Sequence, residues 1–404
     1  MKFSEILYKH NRNKTALISD GTVYTYGMII SDIEKSKKSE KNYKGLVAIC
    51  AGTIYEELIG FLSCETGIPF IAPSNAKIKE TTNPDADFAI MSSGSSGIPK
   101  LMFRTTESWY SFFDEQNRVF NITENTTLFM NGSLCFSGNL NILLGAFYAG
   151  AAVVVDKGHL TRTRAENIRK CNAIYLIPDK LRLLCRLLHH QKEAQNIETV
   201  IAGSQSMGRN EADLLHQILG AKRVILYYGA AEISYISYID ILSERKDRSC
   251  IGKPFNGINI QFDNERLTVS SDFAALGIQM PYMMNDIIHA DSEGYLYYDG
   301  RYDDVLNIGG EKISASALEN ELMRAGAAED VCVFLKEGAF GRGVLCCAWC
   351  GMIEKEAALR AVHIPYMPKK WYRLDFMPKN SNGKTDRNEV IRCCEYKNSH
   401  KPKI

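Results

Sequence analysis

The segment Met91-Ser-Ser-Gly-Ser-Ser-Gly-Ile-Pro-Lys100 follows the apolar run Phe88–Met91. Its glycines let the backbone approach a ligand closely. Its backbone N–H groups and serine hydroxyls can surround an anion, and Lys100 adds a mobile positive charge. The segment is not a GxxxxGK(S/T) loop, because no Lys-Ser or Lys-Thr pair follows the last glycine. The residues therefore fit a phosphate-binding loop, and they equally fit a flexible Ser/Gly-rich loop.

The composition is that of an ordinary globular protein. Of 404 residues, 45% are hydrophobic and 24% charged, and 48 basic side chains balance 47 acidic ones. This balance argues against a nucleic-acid-binding protein. No apolar run reaches the length of a membrane span, and the first residues lack a signal-peptide core, so we expect a cytoplasmic protein. The length predicts two domains.

The 12 cysteines are scattered along the chain. Cys347 and Cys350 have a CxxC spacing that occurs in zinc sites. They also belong to the apolar run Gly343–Cys350, in which cysteine behaves as a small hydrophobic residue. We therefore predict a buried strand here rather than a metal site.

Strand-like and helical patterns alternate from Asn131 onward. Buried strands are predicted at 152–156, 173–177, 200–202 and 224–227. One helix carries apolar residues at i, i+3, i+4 and i+7, namely Leu181, Leu184, Cys185 and Leu188, and another is predicted at 211–219. The alternation predicts an α/β fold with a largely parallel, helix-covered sheet. Short strands after Ile258 indicate a small β-rich subdomain.

A domain boundary is predicted near Gly300, between an N-terminal domain of residues 1–300 and a C-terminal α+β domain of residues 301–404. The turn-rich hairpin GYLYYDG precedes this boundary. A helix is expected from about Ser316, because Ser316 and Glu319 fit a capping box and Leu318 and Leu322 share a face.

Three further segments carry residues suited to nucleotide chemistry. YYGAAE lies at the end of the predicted strand 224–227, and ligands of open α/β sheets bind beyond the carboxyl ends of strands. Tyr228 could stack on a base there, and Glu232 could hold Mg²⁺ on phosphates. Asp286 and Arg301 could share the hydroxyls of a ribose, and Lys384 lies on a polar turn near the C-terminus. Taken alone, YYGAAE also fits an ordinary loop and Asp286 with Arg301 a surface ion pair, and the lysine turn is more typical of a solvated tail.

In chain order, four segments together resemble the motifs of the adenylate-forming superfamily, which includes acyl-CoA synthetases, nonribosomal adenylation domains and firefly luciferase. MSSGSSGIPK is similar to its phosphate loop (S/T)SG(S/T)TGxPK, and YYGAAE is similar to its YGxTE. MND with GRYDD resembles TGD and GRxDD, and PKNSNGKTDR resembles the C-terminal lysine motif. The likeness extends from Lys14 to Arg387 in a shortened chain. It implies a large N-terminal AMP-binding domain and a small mobile α+β C-terminal domain.

The resemblance also implies a role for each matched residue. The nucleotide-binding residues would be Ser92, Ser93, Gly94, Ser95, Ser96, Gly97, Lys100, Gly203, Tyr228, Gly229, Ala231, Asp286 and Arg301. Glu232 would bind Mg²⁺, and Lys384 would bridge the acid and the α-phosphate during adenylation. Asp303 would be the hinge between the domains, and Gly310 would line the channel for the incoming thiol.

The implied reaction is ATP- and Mg²⁺-dependent activation of a carboxylic acid as acyl-AMP, with release of pyrophosphate and transfer of the acyl group to a thiol. Coenzyme A is the expected acceptor, and the phosphopantetheine of an acyl carrier protein is the alternative. Ala231 stands where the family has threonine, so a catalytically weakened nucleotide-binding homologue also remains open.

Phe136 and Ser137 are the predicted acyl-pocket residues. Counted back from Gly150, Ser137 occupies the slot in which amino-acid-activating members carry an aspartate. A buried ammonium without a carboxylate would be unfavourable, which argues against an α-amino acid substrate. Phe136 and its apolar neighbours favour a fatty or an aromatic acid.

Overall fold

The computed structural model describes residues 2–39, 45–73, 82–92, 100–189, 196–263, 266–302, 305–308, 311–324, 328, 330–337, 343–351, 367–379 and 385–399. The chain divides into two compact units. Unit 1 comprises Met1–Arg245, Gly252–Ile260 and Val269–Tyr282, and unit 2 comprises Lys246–Ile251, Gln261–Thr268 and Met283–Ile404.

Strands and helices alternate through most of unit 1, whereas strands predominate in unit 2. The strands are β1 (Thr15–Ser19), β2 (Thr22–Thr25), β3 (Leu46–Ile49), β4 (Ile68–Ile71), β5 (Phe88–Ser92), β6 (Lys100–Arg104), β7 (Thr127–Asn131), β8 (Ala152–Asp156), β9 (Ala173–Tyr175), β10 (Thr199–Gly203), β11 (Arg223–Ala230), β12 (Ser234–Asp240), β13 (Cys250–Pro254), β14 (Asn259–Asp263), β15 (Arg266–Ser270), β16 (Tyr282–Met283), β17 (Asp286–Ala290), β18 (Leu296–Arg301), β19 (Val305–Ile308), β20 (Glu311–Ser314), β21 (Asp330–Glu337), β22 (Gly343–Cys350) and β23 (Lys370–Arg373). The α-helices are α1 (Phe3–Ile6), α2 (Tyr26–Ser39), α3 (Ile54–Ser63), α4 (Glu107–Tyr110), α5 (Phe113–Phe120), α6 (Ser137–Tyr148), α7 (Arg162–Ala165), α8 (Pro178–Leu188), α9 (Arg209–Leu219), α10 (Ile241–Glu244), α11 (Ala315–Arg324) and α12 (Arg387–Ser399).

The centre of unit 1 is a mixed sheet with the strand order β12-β11-β10-β9-β7-β8-β1-β2. The strands from β11 to β1 in this order run parallel, and β12 and β2 run antiparallel to their neighbours. All five residues of β10 are buried, as expected for a parallel strand covered on both faces. The predicted α/β fold with a helix-covered parallel sheet is confirmed.

The predicted amphipathic helix is α8, and Leu181, Leu184, Cys185 and Leu188 are all buried in it. The preceding strand, β9, ends at Tyr175 rather than at residue 177. Pro178 occupies the first turn of α8, where its missing N–H group costs no helical hydrogen bond. The strand therefore ends early enough for the chain to turn into this helix.

Unit 2 contains the hairpin β17–β18 and a three-stranded sheet with the order β21-β22-β23. Leu318 and Leu322 of α11 are buried against one face of this sheet, and Val390 and Cys394 of α12 are buried against the other. The segment Gly343–Cys350 is a strand with a buried centre, as predicted.

The predicted capping box at Ser316 is wrong. Helix α11 begins at Ala315, and the hydroxyl of Ser314 accepts a hydrogen bond from Ala317 N (3.2 Å). Glu319 is instead used in tertiary contacts, because its carboxylate accepts a hydrogen bond from Val333 N (2.7 Å). Of two nearby serines, the one at the end of β20 caps the helix.

Among the described residues, no helix is long and apolar enough to cross a membrane. All 12 cysteines are free thiols, and the part of the chain that the structure describes contains no group of three or more His, Cys, Asp or Glu side chains arranged to hold a metal ion.

Candidate active site

The predicted phosphate loop connects the two strands of a hairpin. Strands β5 and β6 pair antiparallel, and Ser92 lies opposite Lys100. Lys100 is exposed at the start of β6. The loop residues Ser93, Gly94, Ser95, Ser96 and Gly97 lie outside the described residues. The hairpin thus places the two ends of the Ser/Gly segment side by side, with one ammonium group at its base.

The same hairpin meets the predicted acyl-pocket residues. Met91 of β5 forms a parallel β-bridge with Phe136, the residue directly before α6. Ser137 is the first residue of α6. The structure therefore places the start of the Ser/Gly segment beside the helix start to which the sequence assigned the acid.

Tyr228 and Gly229 lie inside a strand, which corrects the prediction that they follow one. Strand β11 continues to Ala230, and the chain then turns back antiparallel into β12. A Cβ at Gly229 would collide with the carbonyl oxygen of Ser234, so only glycine allows the two strands to approach this closely. The neighbouring strand brings Gly203 opposite Tyr227, one residue before Tyr228.

Glu232 lies in the tight turn between β11 and β12. Ile233 N donates a hydrogen bond to Ala230 O (3.1 Å), and Ala275 N donates one to the carbonyl oxygen of Glu232 (2.8 Å). Ser234, which has a left-handed backbone (φ 78°), begins the return strand. Backbone hydrogen bonds at Ala230, Glu232 and Ile233 therefore fix the turn from which the Glu232 side chain extends.

Arg104 is the principal functional candidate that the sequence analysis missed. Its side chain is only 1% exposed, and its guanidinium donates hydrogen bonds to the carbonyl oxygens of Ala231 (2.7 Å) and Phe273 (2.9 Å). It also lies 5.8 Å from the ring centroid of Trp109. Arg104 ends the strand that begins at Lys100, so it ties the phosphate-loop hairpin to the turn that carries Glu232.

Burial lowers the pKa of Arg104 to about 9, and the negative charge of Glu232 acts in the opposite direction. Arginine therefore remains a cation at neutral pH even here. Among the described hydrogen bonds, its Nη atoms have partners and its Nε, which is buried, has none. A buried guanidinium held mainly by carbonyl oxygens leaves its positive charge without direct neutralisation, and the nearby carboxylate that offsets this is Glu232.

Asp286 and Arg301 face each other within unit 2. Asp286 begins β17, Arg301 ends β18, and the two are paired across the hairpin. Arg301 Nε lies 3.3 Å from Asp286 Oδ1, and the side chains are 45% and 18% exposed. The structure therefore brings together the two residues that the sequence assigned to the ribose.

The predicted residues Asp303, Gly310 and Lys384 lie outside the described residues. The residues on either side of the lysine motif belong to a defined framework. Lys379 and Thr385 form an antiparallel bridge, and Arg387 Nη2 donates to Glu319 Oε1 (2.8 Å). Both ends of the motif are therefore held against the body of unit 2.

Within unit 1, the arrangement combines an exposed lysine at the base of a Ser/Gly loop with a carboxylate on a rigid turn. Magnesium is usually bound by one or two carboxylates together with phosphate oxygens rather than by a cage of protein ligands. The single carboxylate of Glu232 fits that donor set. Cations and N–H donors fixed in this way stabilise charge on transferring phosphoryl groups.

Known proteins resemble this chain in sequence and in fold. The family model described as AMP-binding enzyme matches residues 7–269. The chain is 21% identical over 348 residues to the uncharacterized acyl-CoA ligase YhfT of Bacillus subtilis (strain 168), which covers 78% of this chain and 70% of that protein. It is 22% identical over 320 residues to the putative long chain fatty acid-CoA ligase VraA of Staphylococcus epidermidis, with 74% and 69% covered.

Among solved structures, o-succinylbenzoate coenzyme A synthetase of Bacillus subtilis, in complex with ATP and magnesium ion, superposes with a TM-score of 0.77. The sequence identity is 15%, and the superposition covers 96% of this chain and 99% of that chain. At this identity the likeness demonstrates a shared fold.

Proposed function

The chain belongs to the AMP-binding enzyme family and is an AMP-forming acid–thiol ligase, and we propose that it activates a fatty or aromatic acid with ATP and Mg²⁺ and transfers the acyl group to coenzyme A. The observation that carries the proposal is the link through Arg104. This buried side chain joins the strand that begins at Lys100 to the turn that carries Glu232. The lysine proposed to bind phosphate and the carboxylate proposed to bind the metal are thereby built on one connected framework.

Each part of ATP has its own proposed residues. Ser92 and Lys100, with the loop between them, would hold the β- and γ-phosphates. Tyr228 would pack on the adenine, with Gly203 beside it. Asp286 and Arg301 would hold the ribose hydroxyls, because a carboxylate accepts and a guanidinium donates hydrogen bonds.

Magnesium would be held by Glu232 and by the phosphate oxygens of ATP. When bound, it would neutralise part of the triphosphate charge. The side chain of Arg104 would keep the Glu232 turn in place during binding, because its hydrogen bond to the Ala231 carbonyl acts on the residue next to the carboxylate.

The chemical need for these cations follows from the reaction. The substrate carboxylate attacks the α-phosphorus and pyrophosphate leaves, so two anions must approach each other. Positioned positive charges therefore lower the barrier more than a nucleophilic side chain would. We propose that Lys384 supplies one such charge at the carboxylate and the α-phosphate.

The proposed domain roles follow the predicted boundary. Residues 1–300 would form the AMP-binding domain, and residues 301–404 would rotate about Asp303 between adenylation and thiol transfer. The loop at Gly310 would then line the channel for the thiol.

Two alternative functions can be distinguished from this one by experiment. Transfer to the phosphopantetheine of a carrier protein would replace coenzyme A as acceptor. A weakened homologue would bind nucleotide without turnover, and the alanine at position 231 is the feature that favours it.

The decisive experiment is acid-dependent exchange of labelled pyrophosphate into ATP, screened over fatty, aromatic and amino acids. Exchange with a fatty or aromatic acid, followed by thioester formation on free coenzyme A, is the expected result. Exchange only with amino acids would overturn the proposed substrate class. ATP binding without exchange for any acid would identify the weakened homologue, and thioester formation on carrier protein alone would reassign the acceptor.

A further inference from the structure

Two tyrosines occupy the space between the start of α6 and the strands β9 and β11. Tyr175 is the last residue of β9 and is 3% exposed, and Tyr227 belongs to β11. Their hydroxyl oxygens are 2.7 Å apart, and their rings are nearly parallel, at 11° with centroids 6.3 Å apart. The two phenols form one hydrogen-bonded pair although they are 52 positions apart in sequence.

Two glycines make room for this pair. A Cβ at Gly138, the second residue of α6, would collide with the hydroxyl oxygen of Tyr175. A Cβ at Gly203, at the end of β10, would collide with the ring of Tyr227. Any larger residue at either glycine would displace a tyrosine, so the glycines and the rings form a matched set.

Neighbouring aromatic residues hold the pair in place. The ring of Tyr235 meets that of Tyr227 edge-on, with centroids 4.8 Å apart. The hydroxyl of Tyr235 in turn donates to Asn141 Oδ1 of α6 (3.0 Å). Burial raises the pKa of Tyr227 to about 12 and raises the pKa of Tyr175 well above its usual value, so both hydroxyls stay neutral at physiological pH. The pair is a packed, uncharged wall.

This wall adjoins the residues proposed to hold the acid. Phe136 and Ser137 directly precede Gly138. A Cβ at Gly138 would lie 3.1 Å from Cε1 of Phe136, and the same Cβ would collide with the hydroxyl oxygen of Tyr175. The proposed acyl pocket and the tyrosine pair therefore meet at one residue.

We propose that Tyr175 and Tyr227 close the far end of the acyl pocket and restrict the substrate to a short-chain acid or an acid with a single aromatic ring. The inference rests on the proposed function, because that function places the acid beside Phe136 and Ser137. A longer chain would have to displace two rings that are packed against α6 and against the sheet. Protein interiors resist such displacement because they are packed as densely as organic crystals.

The test compares the wild-type enzyme with Tyr175→Ala and Tyr227→Ala in acid-dependent pyrophosphate exchange. The acids are butyrate, hexanoate, decanoate, palmitate, benzoate and 2-naphthoate. Wild type is expected to use the short acids and benzoate. In the alanine variants, kcat/KM for the longer or two-ring acids should rise relative to kcat/KM for the short acids. The expected rise is about 10-fold or more for each methylene newly accommodated.

Two phenylalanine variants serve as matched controls. Tyr175→Phe removes the shared hydrogen bond but keeps the ring, so the chain-length limit should remain. Tyr26→Phe removes one buried phenol hydrogen bond, to Ala151 O (2.7 Å), at a residue outside the proposed site. It should lower stability without changing the ranking of acids.

The outcomes separate this inference from the proposed function. Wild-type exchange with palmitate as efficient as with hexanoate or benzoate would overturn the wall and leave the ligase function intact. Folded alanine variants that rank the acids as wild type does would likewise overturn the wall and leave the ligase function intact. If neither alanine variant folds, the wild-type chain-length profile still decides. No exchange with any acid would overturn both.

Discussion

Two arginines of this chain stand in opposite surroundings. Arg104 is 1% exposed and is held by backbone carbonyl oxygens, whereas the side chain of Arg301 is 45% exposed and faces the carboxylate of Asp286. Removing the first would take the charged donor away from two part-buried carbonyl groups, which would destabilise the fold. Removing the second would break an exposed ion pair, which contributes little to stability. The contacts of Arg104 are therefore those of a residue that maintains the fold, whereas the role that we propose for Arg301 is binding of the ribose.

Lys384 adds a third cation, whose proposed role lies in the reaction alone. Lys384→Ala should reduce acid-dependent pyrophosphate exchange by roughly two to three orders of magnitude, because one lost charge-stabilising contact costs ~3–4 kcal/mol of barrier. Thiolysis of preformed acyl-AMP should be largely retained. Exchange assays and single-turnover thiolysis measure the two half-reactions separately. Exchange near the wild-type rate would contradict the assigned role.

Arg104→Met should lower the free energy of unfolding by about 3 kcal/mol, because Ala231 O loses its charged donor and Phe273 O keeps only the hydroxyl of Ser234 (3.3 Å). Urea unfolding monitored by circular dichroism measures this change. Calorimetric titration at a temperature where the variant is folded should also show weaker binding of Mg·ATP. Binding of ATP in EDTA should change less, because the displaced turn carries Glu232.

Arg104→Lys is the companion variant, since it keeps the charge but cannot reach both carbonyl oxygens. Its stability should lie between those of wild type and Arg104→Met. Wild-type stability and Mg·ATP affinity in Arg104→Met would contradict the link between the loop hairpin and the turn.

Arg301→Ala should have the opposite profile. Its free energy of unfolding should change by less than about 1 kcal/mol, as is usual for an exposed ion pair. Its kcat/KM for ATP should fall by about 10- to 100-fold, because a charge-assisted hydrogen bond to the ribose is lost. Steady-state kinetics and thermal unfolding measured on one preparation compare the two effects. Unchanged kinetics would contradict the ribose role and show that Asp286 and Arg301 form an ordinary surface ion pair.

Arg392→Ala is the variant with the smallest expected effect on stability and on ATP kinetics. Arg392 pairs with Glu389 three residues earlier on α12 (2.8 Å), and the side chains are 71% and 44% exposed. Losing this pair should change stability by only about 0.2–0.5 kcal/mol and leave the ATP kinetics unchanged. A kinetic effect as large as that of Arg301→Ala would show that exposed charge in general, rather than the ribose contact, determines ATP use.

The parts of the fold that were predictable have local causes. The buried face of α8 follows from a spacing of 3.6 residues per turn, and β8 was predicted with its bounds because its apolar run is flanked by polar or glycine-containing turns. The hairpin strand that ends at Ser92 was likewise evident from the apolar run before it. The stop of β11 was misplaced because Tyr228 and Gly229 have the composition of a turn. Pairing with β12 nevertheless holds both residues in an extended backbone conformation.

Arg104 could not be recognised as a site residue from its neighbours in sequence. Its partners Ala231 and Phe273 are 127 and 169 positions away, and they contribute only backbone oxygens, which every residue has. One weak signal was present, namely a charged residue directly after the apolar run Leu101–Phe103. Tyr175 and Tyr227 were missed for a related reason, because the two glycines that accommodate them lie on other elements.

By itself, the sequence determined the alternation of strands and helices, the family and the candidate ligands for each part of ATP. These depend on side-chain types and short spacings, which a linear chain displays directly. Only the tertiary structure decided that a buried guanidinium holds the turn of Glu232 and that two phenols adjoin the residues proposed to line the acyl pocket. Such features arise when the fold encloses groups from distant segments in a space without water, where each polar atom needs a partner and each ring needs room.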